Sequence, residues 1–327
     1  MTRFRQARDR GGAYLVSHQA ADGSFPQGKP DIADYYKTIT AFEVCGRSDA
    51  ASRLCHWIRR CAMGPDGDFC PQSDPPPGHL HGYFNAWIVC GAHRAGQFDL
   101  SGRGMDFLMR LHDPVSGGFY SSAQAQDDQT VQDIMPTCMC GLAALYTGRI
   151  EAATSVGRWL KTVRDRQPAF PQKLYSVYSR AGGLHTDPPA GQERRYVVDR
   201  SAKRDQNIFN PGIAAAFLAQ LYQATGYRAT LELAEQYIEV ALGASDFLLG
   251  IVRAGKVGWA TALLYRITGQ SKYRQMARRI GANLIRLQAD QGYWSGVGQT
   301  TPSFDSTAER VVWMDAIDCI HPDDQVA

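Results

Sequence analysis

Acidic residues lie directly before, or at the start of, two apolar segments of the sequence. Their carboxyl groups could serve as a general acid and a general base. Asp127, Asp128 and Asp133 precede one such segment, and Asp305 and Glu309 open the last one. Burial and mutual repulsion separate the pKa values of two facing carboxyl groups, so that one stays protonated while the other is ionised. We therefore expect a catalytic pair made of one of the first three acids and one of the last two.

Aromatic, basic and amide side chains occupy comparable positions along the chain and could bind a substrate. His81 is a further candidate for proton transfer. The candidate substrate-binding residues, which include a guanidinium group for an anion, are Asp34, Tyr36, His79, Tyr83, Arg195, Asn207, Asn210, Lys256 and Trp259. The aromatic rings among them would stack on a hydroxylated or cyclic molecule. Lys37 and Arg310 belong to the same polar sets, and Arg194 is the alternative to Arg195 for meeting an anionic group.

Helix capping is an alternative explanation for part of this set. Asp34, Asp128, Asn210 and Ser306 lie where helix N-caps are expected, and capping alone would account for them. Lys256 could extend to solvent along its aliphatic stem, and the aromatic residues could serve packing. The convergence of many such residues, rather than any single one, favours a functional site.

A repeated pattern of helix, glycine and helix would position these residues. Apolar stretches end at Gly46, Gly96, Gly148, Gly226 and Gly269, which are separated by 50, 52, 78 and 43 residues. A glycine directly after a helix commonly takes the left-handed conformation that ends the helix. The near-constant step predicts a repeat of two helices.

The helices on the two sides of each glycine differ in composition. Those that precede it, such as residues 213–222, are apolar on all sides and rich in small residues, which predicts inner helices covered by protein. Those that follow it are amphipathic, which predicts outer helices. Inner helices are expected to start near residues 34, 82, 130, 209, 255 and 305, and outer helices near 4, 49, 100, 150, 229 and 272. This count predicts an all-α fold, one (α/α)6 toroid domain over residues 1–327.

A second repeated feature is a loop in which turn residues precede an aromatic residue. It occurs at residues 19–25, 66–69, 113–119 and 288–294. The turn residues supply positive φ angles, and the aromatic ring is expected to fill the gap between neighbouring hairpins.

The chain resembles known toroids in two of these features. The loops at 19–25 and 288–294 resemble the Gln-Trp-type repeats of terpene cyclases and protein prenyltransferases. The segments Leu221-Tyr-Gln-Ala-Thr-Gly226 and Leu264-Tyr-Arg-Ile-Thr-Gly269 are similar to those of six-hairpin glycosidases and sugar epimerases. The resemblance implies the α/α toroid superfamily, a fold that hosts hydrolases, lyases, epimerases and cyclases. The Asp-x-Asp-Asp run of class II terpene cyclases and the late histidine pair of the epimerases have no counterpart.

Composition argues against several classes of function. A formal net charge of +3 does not favour nucleic acid as a partner, and no apolar run approaches the roughly 20 residues that span a bilayer. The cysteines show no paired Cys-x-x-Cys spacing and there is no His-Glu-x-x-His motif, so we expect reduced thiols, a cytoplasmic protein, and neither metal nor cofactor. Asp133 and Cys138 lie on one predicted helix, in poor geometry for a shared zinc ion.

The working site is expected in the funnel at the N-terminal ends of the inner helices, where the connections are long. Residues 180–206 are the longest connection and are predicted to be a solvated loop or a lid over the funnel. We expect a metal-free hydrolase, lyase or isomerase that uses rim carboxylates on a hydroxylated or cyclic small molecule such as a glycan or glycoside. The alternatives are a cyclase-like enzyme of terpenoid or polyketide metabolism, with aromatic rings that stabilise a cation, and a non-catalytic helical-repeat binding protein.

Overall fold

Helices dominate the structure, a computed structural model that describes residues 1–25, 32–70, 78–123 and 126–321. The α-helices are α1 (Arg3–Ser17), α2 (Thr38–Val44), α3 (Ser48–Cys61), α4 (His81–Arg94), α5 (Phe98–Met109), α6 (Ile134–Tyr146), α7 (Ile150–Asp165), α8 (Glu193–Tyr196), α9 (Phe209–Thr225), α10 (Arg228–Leu242), α11 (Asp246–Gly250), α12 (Gly255–Thr268), α13 (Ser271–Arg286) and α14 (Phe304–Asp318). The strands are β1 (Gln132–Asp133), β2 (Lys173–Tyr175), β3 (Val177–Ser179), β4 (Gly183–Leu184) and β5 (Val197–Asp199).

Six of the helices form an inner ring. In the order α2, α4, α6, α9, α12 and α14, each packs on the next, and α14 packs back on α2. The outer helices α3, α5, α7, α10 and α13 each pack on the inner helix that precedes them, and the last outer position is taken by α1, which packs on α14. The chain therefore has the (α/α)6 toroid fold that its repeat predicts.

Charged contacts fasten the first helix to the last. Arg8 Nη1 lies 2.7 Å from Asp315 Oδ1, and Arg5 Nε lies 3.1 Å from Asp318 Oδ2. The Thr2 hydroxyl donates to Asp318 and also accepts the backbone N–H of Arg5, which caps α1. Because these contacts join the two ends of the chain, they hold the ring closed.

Side-chain size and polarity decide which helices lie inside. In α9 every residue of the range 213–219 is buried, and a Cβ on Gly212 would lie 2.7 Å from the Lys256 backbone in α12. In the outer helix α7, Val156 and Trp159 are fully buried while Arg158 is exposed. An all-apolar helix must be covered on every side, whereas an amphipathic one needs one covered face. None of the helices in the described ranges is long and apolar enough to cross a membrane.

The predicted N-caps are wrong in detail. The helix α2 begins at Thr38, after a 3₁₀ turn at Ile32–Asp34, and α6 begins only after strand β1. Asp34, Asp128, Asn210 and Ser306 were expected at N-caps, but the residues there are Lys37, Asp133, Ile208 and Ser303. Of these four, Ser303 accepts a backbone N–H, that of Ser306. Capping therefore does not explain the four expected residues.

The loops with a turn glycine and an aromatic residue share one local structure. Gly23, Gly67, Gly117 and Gly292 have φ angles from 85° to 97°, and the aromatic residues Phe25, Phe69, Phe119 and Trp294 are buried. Each of these glycines lies against a backbone carbonyl of the next outer helix. The loops thus join neighbouring hairpins, as the pattern predicts.

The long connection between α7 and α9 contributes to small antiparallel sheets, one of which includes strand β1 ahead of α6. Strands β1, β3 and β4 form one sheet, in which Tyr178 lies opposite both Gln132 and Leu184. Strands β2 and β5 form another, with Leu174 opposite Val198. Residues 180–206 are thus tied to the start of α6 through β4 and β3. Their closing as a lid stays a prediction, which hydrogen exchange with and without ligand would test.

Substitution of a loop glycine tests this packing. A Cβ at Gly67 would lie 2.3 Å from the Arg103 carbonyl oxygen, at a φ of +90° that alanine rarely adopts. We expect Gly67→Ala to lower the free energy of unfolding by about 3 kcal/mol, because backbone strain adds to the steric clash. Gly96→Ala is the matched control: its φ is +71° but nothing lies within 4 Å of the added Cβ, so the expected loss is about 1 kcal/mol. Equal losses in urea unfolding would contradict the packing role.

Candidate active site

A cavity of about 510 Å³ opens at the N-terminal ends of the inner helices. All six inner helices, or the residues directly before them, contribute to its lining. The lining includes Tyr36, Lys37, His79, Leu80, Tyr83, Met135, Arg194, Asn207, Phe209, Arg253, Lys256, Ser303, Asp305, Ser306, Glu309, Arg310 and Trp313. Helix N-termini carry free N–H groups, so their convergence adds positive potential to this space.

Glu309 is held by three cations in the wall of the cavity. Its side chain is 8% exposed. Lys37 Nζ lies 3.0 Å from Glu309 Oε2, Arg310 Nη1 lies 2.8 Å from the same oxygen, and the Lys256 ammonium contacts Oε1. Since Lys37 directly precedes α2 and Lys256 belongs to α12, one carboxylate of α14 links three inner helices.

These charges set the protonation of the buried groups. Burial by itself would raise the pKa of Glu309, but the surrounding ammonium and guanidinium groups hold that pKa well below its usual range. Burial lowers the pKa of Lys256 to about 8; Glu309 opposes this shift and the charge of Lys37 adds to it. Glu309 is therefore an ionised counter-charge, whereas Lys256 exchanges its proton near neutral pH.

Aromatic rings surround the Lys256 ammonium. Its Nζ lies 5.1 Å from the ring centroid of Phe209 and 5.6 Å from those of Tyr83 and Trp313. The electron-rich ring faces attract the cation. The aromatic cage and Glu309 together position this ammonium group at the cavity wall.

Of the two carboxylates that the described part of the chain contributes to the lining, Asp305 is the more accessible. Its side chain is 35% exposed, and its Oδ1 lies 2.7 Å from Lys37 Nζ. Burial and then the charge of Asp305 raise the pKa of Tyr36 well above its usual range. Burial and then Glu309 raise the pKa of Tyr83 in the same way. Both phenols stay protonated, while Asp305 faces the cavity.

Two arginines line the cavity and share one counter-ion. Arg253 Nε lies 2.9 Å from Asp205 Oδ1, and Arg194 Nη1 lies 3.2 Å from Asp205 Oδ2. One carboxylate neutralises one of these two charges, so the pair keeps an excess of positive charge. The sequence offered a signal for Arg253, which stands two residues before the inner helix α12.

Seven of the residues proposed from the sequence line this cavity, namely Tyr36, His79, Tyr83, Asn207, Lys256, Asp305 and Glu309. Burial, and then the charge of Arg195, lower the pKa of His79, so its imidazole is predominantly neutral at neutral pH. Lys37 and Arg310, which belong to the polar sets predicted from the sequence, are part of the same network.

The three early acids do not line the cavity. Asp133 is enclosed, since Arg195 Nε and Nη2 lie 2.8 and 2.7 Å from its two oxygens. Asp127 is exposed and accepts the backbone N–H groups of residues 129 and 130, and Asp128 is exposed as well. The structure therefore does not bring these acids together with Asp305 or Glu309, and it places Arg194 rather than Arg195 in the lining.

Three further residues proposed from the sequence also lie outside the lining. Asp34 ends a 3₁₀ turn, and Asn210 is buried within α9. Trp259 stacks on Trp313 at 4.6 Å between ring centroids and lines a second, smaller cavity of about 110 Å³. Because Trp313 borders both cavities, it separates them.

His81 belongs to a different cluster. Its Nε2 lies 2.9 Å from both carboxylate oxygens of Asp68. Cys70 is close by, and one potential ligand atom each from Asp68, Cys70 and His81 lie within 4.8 Å of one another. From the sequence, the loop at 66–69 was expected to be structural, and no metal was expected at Asp68, Cys70 or His81.

Comparison with known proteins finds likeness in structure alone. No protein-family model matches this sequence, and no curated protein does. A D-mannose isomerase matches with a TM-score of 0.71 and 11% identity over 97% of each chain. An inactive variant of an α-1,6-mannanase of Salegentibacter sp., in complex with α-1,6-mannotriose, matches with a TM-score of 0.69 and 11% identity over 97% of this chain and 99% of that one.

A third solved structure extends the range of chemistry. A type II terpene cyclase from Scytonema, in complex with geranylgeranyl dihydroxybenzoate, matches with a TM-score of 0.63 and 11% identity over 98% of this chain and 97% of that one. These neighbours are enzymes of the (α/α)6 toroid superfamily, which is the superfamily that the sequence resembles. At this level of identity the likeness shows the fold.

Removal of the Glu309 charge tests the network. Glu309→Gln leaves the buried Lys256 and Arg310 without their counter-ion and leaves Lys37 with Asp305 alone, so we expect the free energy of unfolding to fall by about 3–5 kcal/mol. The double variant Glu309→Gln/Lys256→Met removes one of those cations and should recover part of the loss. Asp106→Asn, which breaks an exposed pair with Arg149, is the control and should leave stability unchanged. Equal stability of Glu309→Gln and the control would contradict the network.

Proposed function

We propose that this cavity is the active site of a lyase or isomerase that removes a proton next to a carbonyl or carboxylate group of a small hydroxylated acid, such as an acidic sugar. Asp305 is the proposed base, because it is the more accessible of the two carboxylates that line the cavity in the described ranges. Lys256 is the proposed acid, because its pKa of about 8 allows proton exchange near neutral pH. The observation that carries the proposal is the Lys256–Glu309–Lys37–Asp305 network in the cavity wall.

The charge of the cavity supports an anionic substrate. Among the residues that the structure describes, five basic side chains line it, against two acidic ones. Asp205 offsets one more positive charge, and the rest remains available to a bound anion. Arg194 and Arg253 would hold the substrate carboxylate or phosphate, because guanidinium groups bind such anions in two-point contacts. Tyr36, Tyr83 and Asn207 offer hydrogen bonds for hydroxyl groups.

The proposed step follows from these positions. The C–H bond breaks, its proton moves to the Asp305 carboxylate, and the electron pair moves onto the neighbouring carbonyl or carboxylate oxygen. Lys256 and Arg310 stabilise the negative charge that develops on that oxygen. Return of a proton completes an isomerisation, and departure of a leaving group protonated by Lys256 completes an elimination.

Two-carboxylate hydrolysis has less support. Hydrolases of that kind place an acid and a base or nucleophile on opposite sides of the scissile bond. Here Asp305 and Glu309 stand one turn apart on α14, and the three cations keep Glu309 ionised, so Glu309 is unsuited to act as an acid.

A cyclase that forms a carbocation also has less support, because the cations in the cavity wall would repel the carbocation. Among the neighbours, a mannose isomerase is in keeping with proton-transfer chemistry on a sugar.

Exchange of substrate hydrogen with solvent tests the proposal. The protein would be incubated in deuterium oxide with a panel of uronates, sugar phosphates and their neutral counterparts, and deuterium incorporation followed by mass spectrometry. We expect exchange with acidic members of the panel. Asp305→Asn should lower its rate at least ~100-fold, the usual weight of a general base. Release of sugar from neutral glycosides without exchange would overturn the proposal in favour of a hydrolase.

Asp127→Asn is the matched control for this experiment. It removes an acidic charge that is exposed and outside the cavity lining, so the exchange rate should stay at the wild-type level. Arg253→Gln should instead raise KM with little change in kcat, since this side chain is proposed to bind the anionic group. A large loss of kcat in Asp127→Asn would contradict the assignment of Asp305 as the base and would favour a catalytic role for Asp127, Asp128 or Asp133.

The pH dependence has a predicted sign. Lys256 is protonated below its pKa of about 8 and neutral above it, so a general acid at this position is lost as the pH rises through that value. We expect kcat/KM to fall on the alkaline side of about pH 8. In Lys256→Arg the side chain stays protonated to much higher pH, so the alkaline limb should shift upward even though the rate is lower. An unshifted limb would exclude Lys256 as the acid.

A further inference from the structure

We propose that Asp68, Cys70 and His81 form a binding site for a zinc ion. A carboxylate oxygen, the Cys70 Sγ and a ring nitrogen of His81 lie within 4.8 Å of one another. Asp68 and Cys70 are buried, and His81 is partly buried at the first residue of α4. Nothing in this cluster overlaps with the acid–base network around Glu309.

The donor atoms suit zinc among the divalent ions. Thiolate, imidazole and carboxylate together are the ligands that zinc prefers, whereas calcium and magnesium take oxygen ligands. Zinc bonds of about 2.0–2.3 Å in a tetrahedron place ligand atoms roughly 3.3–3.8 Å apart. His81 Nε2 is already 2.9 Å from Asp68 Oδ2, so a small outward shift of the ring would admit the ion between them.

Asn85 contacts all three proposed ligand residues. Its Nδ2 lies 2.9 Å from Asp68 Oδ1 and 3.5 Å from Cys70 Sγ, and it also donates to the backbone oxygen of His81. The backbone N–H of Cys70 donates to the same Asp68 oxygen at 2.8 Å. Asp68 Oδ2 faces His81 Nε2 at 2.9 Å, and an ion would enter between these two atoms. Fully buried amides of this kind orient metal ligands and hold them deprotonated.

Comparison of the repeated loops shows that the scaffold does not require these ligands. In three of these loops the backbone N–H of the aromatic residue donates to a side chain of the following inner helix. That acceptor is the Thr137 hydroxyl in the third hairpin and the Thr307 hydroxyl in the last. In the second hairpin it is the Asn85 amide oxygen. The residue that corresponds to Asp68 is Gly118 or Tyr293 in those loops. A hydroxyl is enough for the structural contact, so the amide and the three ligands are particular to this hairpin.

A loaded site would be electrically balanced. With zinc bound, the Asp68 carboxylate and the Cys70 thiolate carry two negative charges that the ion neutralises in a mostly buried place, and His81, which otherwise pairs with Asp68, binds as the neutral imidazole. Binding releases the thiol proton to solvent. Three protein ligands leave one tetrahedral position for water or for a donor atom of another molecule.

Cobalt titration of the full-length protein tests the site. After treatment with a chelator, Co²⁺ is added and the absorption spectrum recorded. We expect one equivalent per chain, an intense tetrahedral visible band and a thiolate-to-cobalt charge-transfer band that zinc then displaces. Cys70→Ser should abolish the charge-transfer band, and Asp68→Asn and Asn85→Ala should weaken binding by at least ~10-fold. Cys319→Ser, which changes an exposed cysteine elsewhere, is the control and should keep both bands.

Three results would overturn the proposal. They are the absence of stoichiometric cobalt binding at micromolar protein, a spectrum without the thiolate band, or a band that survives in Cys70→Ser. Circular dichroism of each variant shows whether it is folded, and Asn85→Ala keeps all three ligands if Cys70→Ser does not fold. Metal binding is measured without any substrate, so its failure is distinguishable from failure of the proposed acid–base function.

Discussion

Glu309 stands at the point where three inner helices meet, and its carboxylate is stabilised there by opposite charge. A buried carboxylate is costly unless cations and hydrogen bonds surround it, and each buried ammonium has the same requirement. The ionised Glu309 therefore depends on Lys37, Lys256 and Arg310, and they depend on it. The contact holds α14 against α2 and α12, and the charge of Glu309 opposes the lowering of the Lys256 pKa that burial causes.

The toroid separates stability from chemistry. Three features stabilise the ring as a whole. They are the packing of α1 on α14, the small residues of the inner helices and the glycine-containing loops between hairpins. The side chains at the N-terminal ends of the inner helices differ from one hairpin to the next. One end of the ring thus contains a basic cavity, in whose wall three cations surround the Glu309 carboxylate. The second hairpin adds the cluster of Asp68, Cys70 and His81.

Local patterns predicted what depends on local physics. The range 213–222 is apolar all round and was expected inside, and the range 150–165 is amphipathic and was expected outside; both lie where hydrophobic periodicity put them. Glycine after a helix marked the turns because a left-handed residue ends a helix. Helix starts were less accurate at α2 and α6, where a 3₁₀ turn and strand β1 delay the first helical turn in ways that side-chain pattern does not reveal.

The sequence by itself therefore determined the ring of helices and the end of it at which polar residues gather. It could not decide which polar residues meet, because Asp133 and Asp305 look alike along the chain. Only the tertiary structure encloses Asp133 with Arg195, leaves Asp305 facing the cavity and brings His81 to Asp68. The reason is physical: hydrophobic periodicity is a local signal, whereas the partner of a charge is chosen by distances that exist only once the ring has closed.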